Sequence, residues 1–358
     1  DAHRCPHILP IYIPPDSQPL APRPCCHPVP HLDASADGRT SAAARRAYAS
    51  VGPADRRRIA RAGDHPRHCS RPVARARAAG WACMSHAGPI GIFDSGVGGL
   101  SVWREIVGLL PHEDTLYLAD QAHVPYGSRS LDEVRGFAEG ITHFLLGQGA
   151  KLIVIACNAA SAAALYHLRQ RFPDVPFVGM EPALKPAAGQ TRTGVVGVLA
   201  TQATFQGALF ASLMERYGNN VHVLTQACPG WVEAVEAGAP DTPETEALLR
   251  RDLAPLIEAG ADQLVLGCTH YPFLQPIIER VVGPGVAVID PVPAIARQTA
   301  RVLAGRGLEA DPGRTGRHVF YTSGDAVSFT ALLRLLVPSV GLEAEVRPVY
   351  WQGEWLET

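Results

Sequence analysis

"KLIVIACNAASAAALYHLRQRF" (151–172) changes pattern in its middle. Residues 151–158 are a short apolar run rich in β-branched side chains, which predicts a buried strand. Residues 159–172 are Ala-rich and then polar, which predicts a helix. A strand running straight into a helix is half of a βαβ unit. The Cys157–Asn158 pair stands at the junction. A free Cys often packs as a small hydrophobe, so Cys157 alone does not decide between packing and chemistry.

The alternation extends in both directions. "PIGIFD" (89–94) reads as a strand, followed by a Gly-rich turn and a helix. Residues 114–120 and 175–180 read as strands and 131–150 as a helix. The pattern then restarts, with strands over 192–201, 220–230, 262–270 and 286–290 and helices over 202–218 and 243–261. A helix over 294–305 and a strand-helix unit over 318–337 follow. "VIACN" recurs as "VLGCT": Asp94 lies 63 residues before Cys157, and Thr201 lies 67 before Cys268. This rhythm predicts an α/β fold of two pseudo-symmetric, open parallel-sheet domains facing across a cleft. The expected division is 88–187 with 292–358 for one domain and 188–291 for the other.

The first part of the chain differs from the rest. Residues 1–83 carry a net charge of +7, and residues 84–358 carry −9. The first 83 residues hold 12 of the 31 Pro and have no sustained period. Their Cys25, Cys26, Cys69 and Cys83 do not match a structural zinc spacing. We expect residues 1–84 to be an upstream extension, disordered or foreign to the fold, and we expect no nucleic-acid partner. After Met84 only Cys157, Cys228 and Cys268 remain, which points to a reducing, cytoplasmic compartment. No apolar run is long enough to cross a membrane.

In open parallel sheets, ligands bind beyond the carboxyl ends of the strands. Asp94, Ser95, Asp120, Cys157, Asn158, Thr201, Cys268, Thr269 and His270 all fall at such ends. "DSGVGG" (94–99) fails the dinucleotide fingerprint, because Ser101 occupies the third glycine position. The turn still offers backbone N–H groups for a carboxylate, with Asp94 or Ser95 as a cap. Helix N-termini favour the thiolate. Two thiols on opposite sides of one cleft could take a proton from one face of a carbon and deliver one to the other. A thiol pKa of about 8.5 needs only modest tuning for that work. "CTHYP" (268–272) sets Thr269 and His270 beside the second thiol. "PYGS" (125–128) offers Tyr126 and the Gly127 N–H, and "CPGWVEAVEAG" (228–238) offers Glu233 and Glu236. Lys151 and Lys185 are the only lysines, and neither stands out as a pyridoxal anchor.

Taken together, "IGIFDSGVGGLSV", "YLAD…PYGSRS", "IACNAAS", "GMEPALKPA", "GVLATQATF", "LGCTHYPFL" and "FYTSGD" resemble the glutamate racemases. The resemblance runs from residue 89 almost to the end and implies cofactor-independent interconversion of L- and D-glutamate for peptidoglycan synthesis. It implies Cys157 and Cys268 as the acid/base pair. Asp94 would support Cys157, while His270 and Glu236 would support Cys268. Substrate contacts would come from Asp94, Ser95, Tyr126, Gly127, Asn158, Ala159, Thr269 and His270, with Thr201 and Thr204 nearby. The family usually has Thr where this chain has Ala159, so a side-chain hydroxyl is missing there. Glutamate is the expected small-molecule partner, a homodimer the expected assembly, and neither cofactor nor metal is called for. Two other readings remain open from the residues: an aspartate or hydantoin racemase or thiol-dependent decarboxylase of the same fold, and an amino-acid-binding protein with dispensable thiols.

Overall fold

Strands β1 (Ile90–Asp94), β2 (Thr115–Ala119), β3 (Leu152–Ile155) and β4 (Phe177–Val178) are short and buried on both faces. Strands that are buried on both faces and almost wholly apolar pack between two layers of helices. They come from a computed structural model that describes residues 88–339 and 344–358; the expectation for residues 1–84 lies outside the described residues. Helices α1 (Leu100–Leu109), α2 (Leu131–Gly147) and α3 (Asn158–Arg171) connect them. Helix α2 starts on a capping box, in which Ser130 Oγ accepts the Glu133 N–H and the Glu133 carboxylate accepts the Ser130 N–H.

Helix α4 (Leu184–Gln190) leads into β5 (Val195–Ala200), α5 (Gln202–Gln206), α6 (Ala208–Tyr217), β6 (His222–Ala227), α7 (Trp231–Glu236), α8 (Pro243–Glu258), β7 (Gln263–Gly267), α9 (Gln275–Val282) and β8 (Ala287–Ile289). Helix α10 (Val292–Arg306), β9 (His318–Thr322), α11 (Ala326–Leu336) and β10 (Glu345–Pro348) follow, and a hairpin of β11 (Tyr350–Gln352) and β12 (Trp355–Glu357) ends the described chain.

The first sheet has the order β10-β9-β2-β1-β3-β4 and the second β6-β5-β7-β8. Every pair in both sheets is parallel. The inner order β2-β1-β3-β4 is repeated as β6-β5-β7-β8, so Cys157 of "VIACN" and Cys268 of "VLGCT" follow equivalent strands, β3 and β7. The fold is thus the expected parallel α/β arrangement with an internal repeat. Helix α4 spans the expected boundary at 187/188: its Leu184 and Ala187 pack with Val196 and Val198 of the second sheet.

Several boundaries differ from the expectation. The strand expected over 151–158 stops at Ile155, and Asn158 already opens α3. The strand expected over 262–270 stops at Gly267, and β4 keeps only two of the residues in 175–180. The helix expected over 202–218 is broken at Gly207, whose backbone is extended. A side chain there would press on Ala162 of α3, so tertiary approach overrides the local helical pattern. Among the described residues, no helix is long and apolar enough to cross a membrane.

Candidate active site

Cys157 is the N-cap of α3, with its Sγ accepting the Ala160 N–H at 3.4 Å. The helix therefore aims a donor at this sulfur, as expected. Burial nevertheless dominates: it pushes the Cys157 thiol well above its ordinary value, and the nearby Asp94 charge adds to the rise. The expected stabilisation of thiolate by the helix terminus is thus outweighed here. Asp94 ends β1 and is fully buried. Its Oδ2 accepts the Gly99 N–H at 2.7 Å, tying the "DSGVGG" turn to the start of α1. Burial raises the Asp94 carboxyl above its usual range, against the opposing pull of His270 and the Gly99 N–H.

Cys268 follows β7, and His270 Nδ1 lies 3.7 Å from its Sγ. The other ring nitrogen, Nε2, lies 2.7 Å from Glu236 Oε1. The same oxygen accepts the Val97 N–H at 2.7 Å, and Glu236 Oε2 accepts from Gln121 Nε2 at 3.2 Å. Burial alone would lower the His270 pKa. Hydrogen bonds to Cys268 and Glu236 win, and hold it well above its ordinary value. Burial likewise opposes ionisation of Glu236, but the His270 hydrogen bond and charge pull its pKa below the usual range. An imidazolium beside Cys268 is a counter-ion for negative charge on that sulfur. The glycines of the turn make room for this pair: a side chain at Gly96 would run into the Glu236 carboxylate, and one at Gly98 into the His270 ring.

One cavity gathers Ser95, Tyr126, Gly127, Cys157, Asn158, Ala159, Thr201, Thr204, Cys268, Thr269 and His270 in its lining. Asp94 and Glu236 stand behind this wall, each next to a lining residue. Pro125 and Val232 also line the cavity. Neither carries a chemical group that a reading of residue types would select. Glu233 is not among the lining residues. Asp120 does not line it either, but its buried carboxylate accepts from Tyr126 Oη at 2.6 Å, His123 Nδ1 at 2.9 Å, Ser323 Oγ at 2.7 Å and Trp351 Nε1 at 2.7 Å. Asp120 thereby fixes the Tyr126 ring, with His123 and Tyr126 from its own loop and Ser323 and Trp351 from more than 200 residues away.

The cavity wall holds polar atoms without protein partners. Both side-chain atoms of Asn158 and the Thr269 hydroxyl are buried and unpaired. Each such group costs about 1–3 kcal/mol when left unmade. A small ligand carrying both donors and acceptors would satisfy them. Thr201 and Thr204 pair their hydroxyls at 3.1 Å on the same wall. Among the described residues, no three His, Cys, Asp or Glu side chains are grouped to hold a metal ion.

Residues 90–299 match the family model described as Asp/Glu/Hydantoin racemase. Over 262 residues the chain is 52% identical to the glutamate racemase of Roseiflexus sp. (strain RS-1), covering 73% of this chain and 96% of that relative. Its fold is similar to that of a glutamate racemase isoform from Bacillus anthracis, with a TM-score of 0.66, 32% identity and coverage of 75% and 98% of the two chains. It is also similar to Escherichia coli glutamate racemase in complex with L-glutamate and the activator UDP-MurNAc-ala, with a TM-score of 0.65, 33% identity and coverage of 74% and 100%.

Proposed function

The chain belongs to the Asp/Glu/hydantoin racemase family, and we propose that it interconverts L- and D-glutamate by proton transfer between two thiols, supplying D-glutamate for peptidoglycan synthesis. The observation that carries this reading is the presence of Cys157 and Cys268, from equivalent strand ends of the repeat, in the wall of one cavity. The thiolate of one cysteine takes the Cα proton and becomes a thiol. The opposite thiol gives its proton to the other face of the carbon and becomes a thiolate. Substrate charge is unchanged, and exchange with solvent resets the pair.

The α-hydrogen of an amino acid is weakly acidic, so the site must stabilise the carbanionic carbon. Buried donors fixed in place before the reaction do this best. Asn158, Thr269 and the Thr201–Thr204 hydroxyl pair are suited to the substrate's amino and carboxylate groups, with Ser95, Tyr126, Gly127 and Ala159 completing the wall. Asp94 serves Cys157, and the Glu236–His270 pair serves Cys268. The two sheets act as two domains with the substrate held between them. We place the enzyme in the cytoplasm, where its buried, free Cys157, Cys228 and Cys268 stay reduced, and we propose a homodimer.

Incubation with each glutamate enantiomer in D₂O, followed by NMR, tests the reaction. Both enantiomers should exchange Cα–H for deuterium and interconvert. Absence of exchange with either enantiomer would sink the proposal.

A further inference from the structure

Gln121 follows β2 and links two parts of the molecule through its amide. Its Nε2 donates to Glu236 Oε2 at 3.2 Å, and its Oε1 accepts from Thr322 Oγ1 at 2.9 Å. Thr322 ends β9 and is fully buried. Its Oγ1 accepts the Gly324 N–H at 3.0 Å, which leaves the hydroxyl proton free to point at Gln121. The amide orientation follows: the oxygen faces the Thr322 hydroxyl, and the NH₂ faces the Glu236 carboxylate. Glu236 Oε1 already takes two N–H groups, from Val97 and His270. Gln121 is the donor to Oε2, so it fixes the rotation of the carboxylate plane.

We propose that Gln121, oriented by Thr322, is a positioning residue for the Cys268 half of the reaction. It locks Glu236, and Glu236 in turn holds the His270 ring with Nδ1 toward Cys268 Sγ. The Cys157 half is built differently, because its carboxylate, Asp94, is held by the backbone N–H of Gly99. The two proton transfers therefore depend unequally on Gln121. This inference rests on the racemase reading above.

The test uses Gln121→Leu, which removes the donor and keeps the bulk, and Thr322→Val, which frees the amide to turn. Loss of one hydrogen bond to a buried charge should lower kcat about tenfold, with KM little changed. Primary deuterium isotope effects on kcat/KM, measured with α-deuterated L- and D-glutamate, should move in opposite directions. The effect rises for the enantiomer from which Cys268 abstracts, because that step becomes more rate-limiting. It falls for the other enantiomer, whose abstraction by Cys157 is untouched. Thr322→Val should give the same opposed pattern with smaller amplitude, and it carries the test if Gln121→Leu does not fold. A separate readout needs no turnover: the His270 Nε2–H resonance in ¹⁵N-histidine-labelled protein should shift or broaden in Gln121→Leu. Isotope effects that move together for both enantiomers, or a His270 resonance left in place, would overturn the proposal. If the unaltered protein does not racemise glutamate, the function proposed above fails, and the His270 resonance still decides the positioning.

Discussion

Glu236 Oε1 and His270 Nε2 lie 2.7 Å apart, two residues 34 positions distant in the chain and buried together behind Cys268. Each stabilises the charged form of the other. The consequences reach both stability and catalysis.

The pair makes stability depend on pH with a defined sign. The Glu236 pKa is lowered from 4.5, so its contribution is present above that value and is lost as pH falls through the folded one. The His270 pKa is raised well above 6.5, so its contribution is full below that value and is lost as pH rises through the folded one. The two overlap fully between pH 4.5 and 6.5. There, Glu236→Gln should destabilise by on the order of 3 kcal/mol, as expected for a buried pair losing one partner. Denaturant melts of both proteins across this range and at alkaline pH check it. A difference that does not shrink at alkaline pH would contradict the assignment.

Asp94 has the opposite thermodynamic character. Its folded pKa is raised above 3.8, chiefly by burial, so the unfolded chain releases the proton first. Stability therefore falls as pH rises from 3.8 through the folded value. Asn at this position keeps an acceptor for the Gly99 N–H and removes the buried charge. Asp94→Asn should melt at a higher temperature near neutral pH while losing about a hundredfold in racemisation. A variant that loses both stability and activity would mean that Asp94 is chiefly structural.

Gly98 is predicted to be a catalytic spacer. A side chain there would meet the His270 ring, but its backbone lies outside the left-handed region, so Ala fits the turn itself. Gly98→Ala should lower kcat by tenfold or more through a displaced His270, with a stability change of about 1 kcal/mol. Gly108 in α1 faces open space and is the control. Gly108→Ala should keep full activity. Steady-state kinetics beside thermal melts separate the two cases.

The cysteines divide two to one. Cys157→Ser and Cys268→Ser should each reduce racemisation by about a thousandfold, since hydroxyls are far weaker acids than thiols. Cys228 is also buried, but it lies outside the cavity lining, and its Sγ donates to the Gln226 carbonyl at 3.4 Å. Cys228→Ser should retain the activity of the unaltered protein. Polarimetric assays of the three variants are decisive: strong activity in either of the first two would remove that thiol from the mechanism.

Much of this site was legible residue by residue. Cys157, Asn158, Cys268, Thr269 and His270 sit in short strings at strand ends, where a parallel sheet exposes its ligand-binding edge. The network around Asp120 was only half legible: His123 and Tyr126 are its loop neighbours, but Ser323 and Trp351 converge on it from more than 200 residues away. Gln121 carried no signal: its meaning lies in two contacts, 115 and 201 residues away in sequence.

The order of apolar and polar residues was enough to specify strands, helices and the repeated pair of thiols, since periodicity and strand-to-helix junctions are local properties. Only the tertiary structure decided the charge states around those thiols. Burial, hydrogen bonds and Coulomb interactions depend on distance in space: burial raises Cys157, hydrogen bonds to Cys268 and Glu236 raise His270 against its own desolvation, and Glu236 reaches the ring from another segment. The break at Gly207 was settled in the same way, by the approach of α3 rather than by the helical pattern on either side of it.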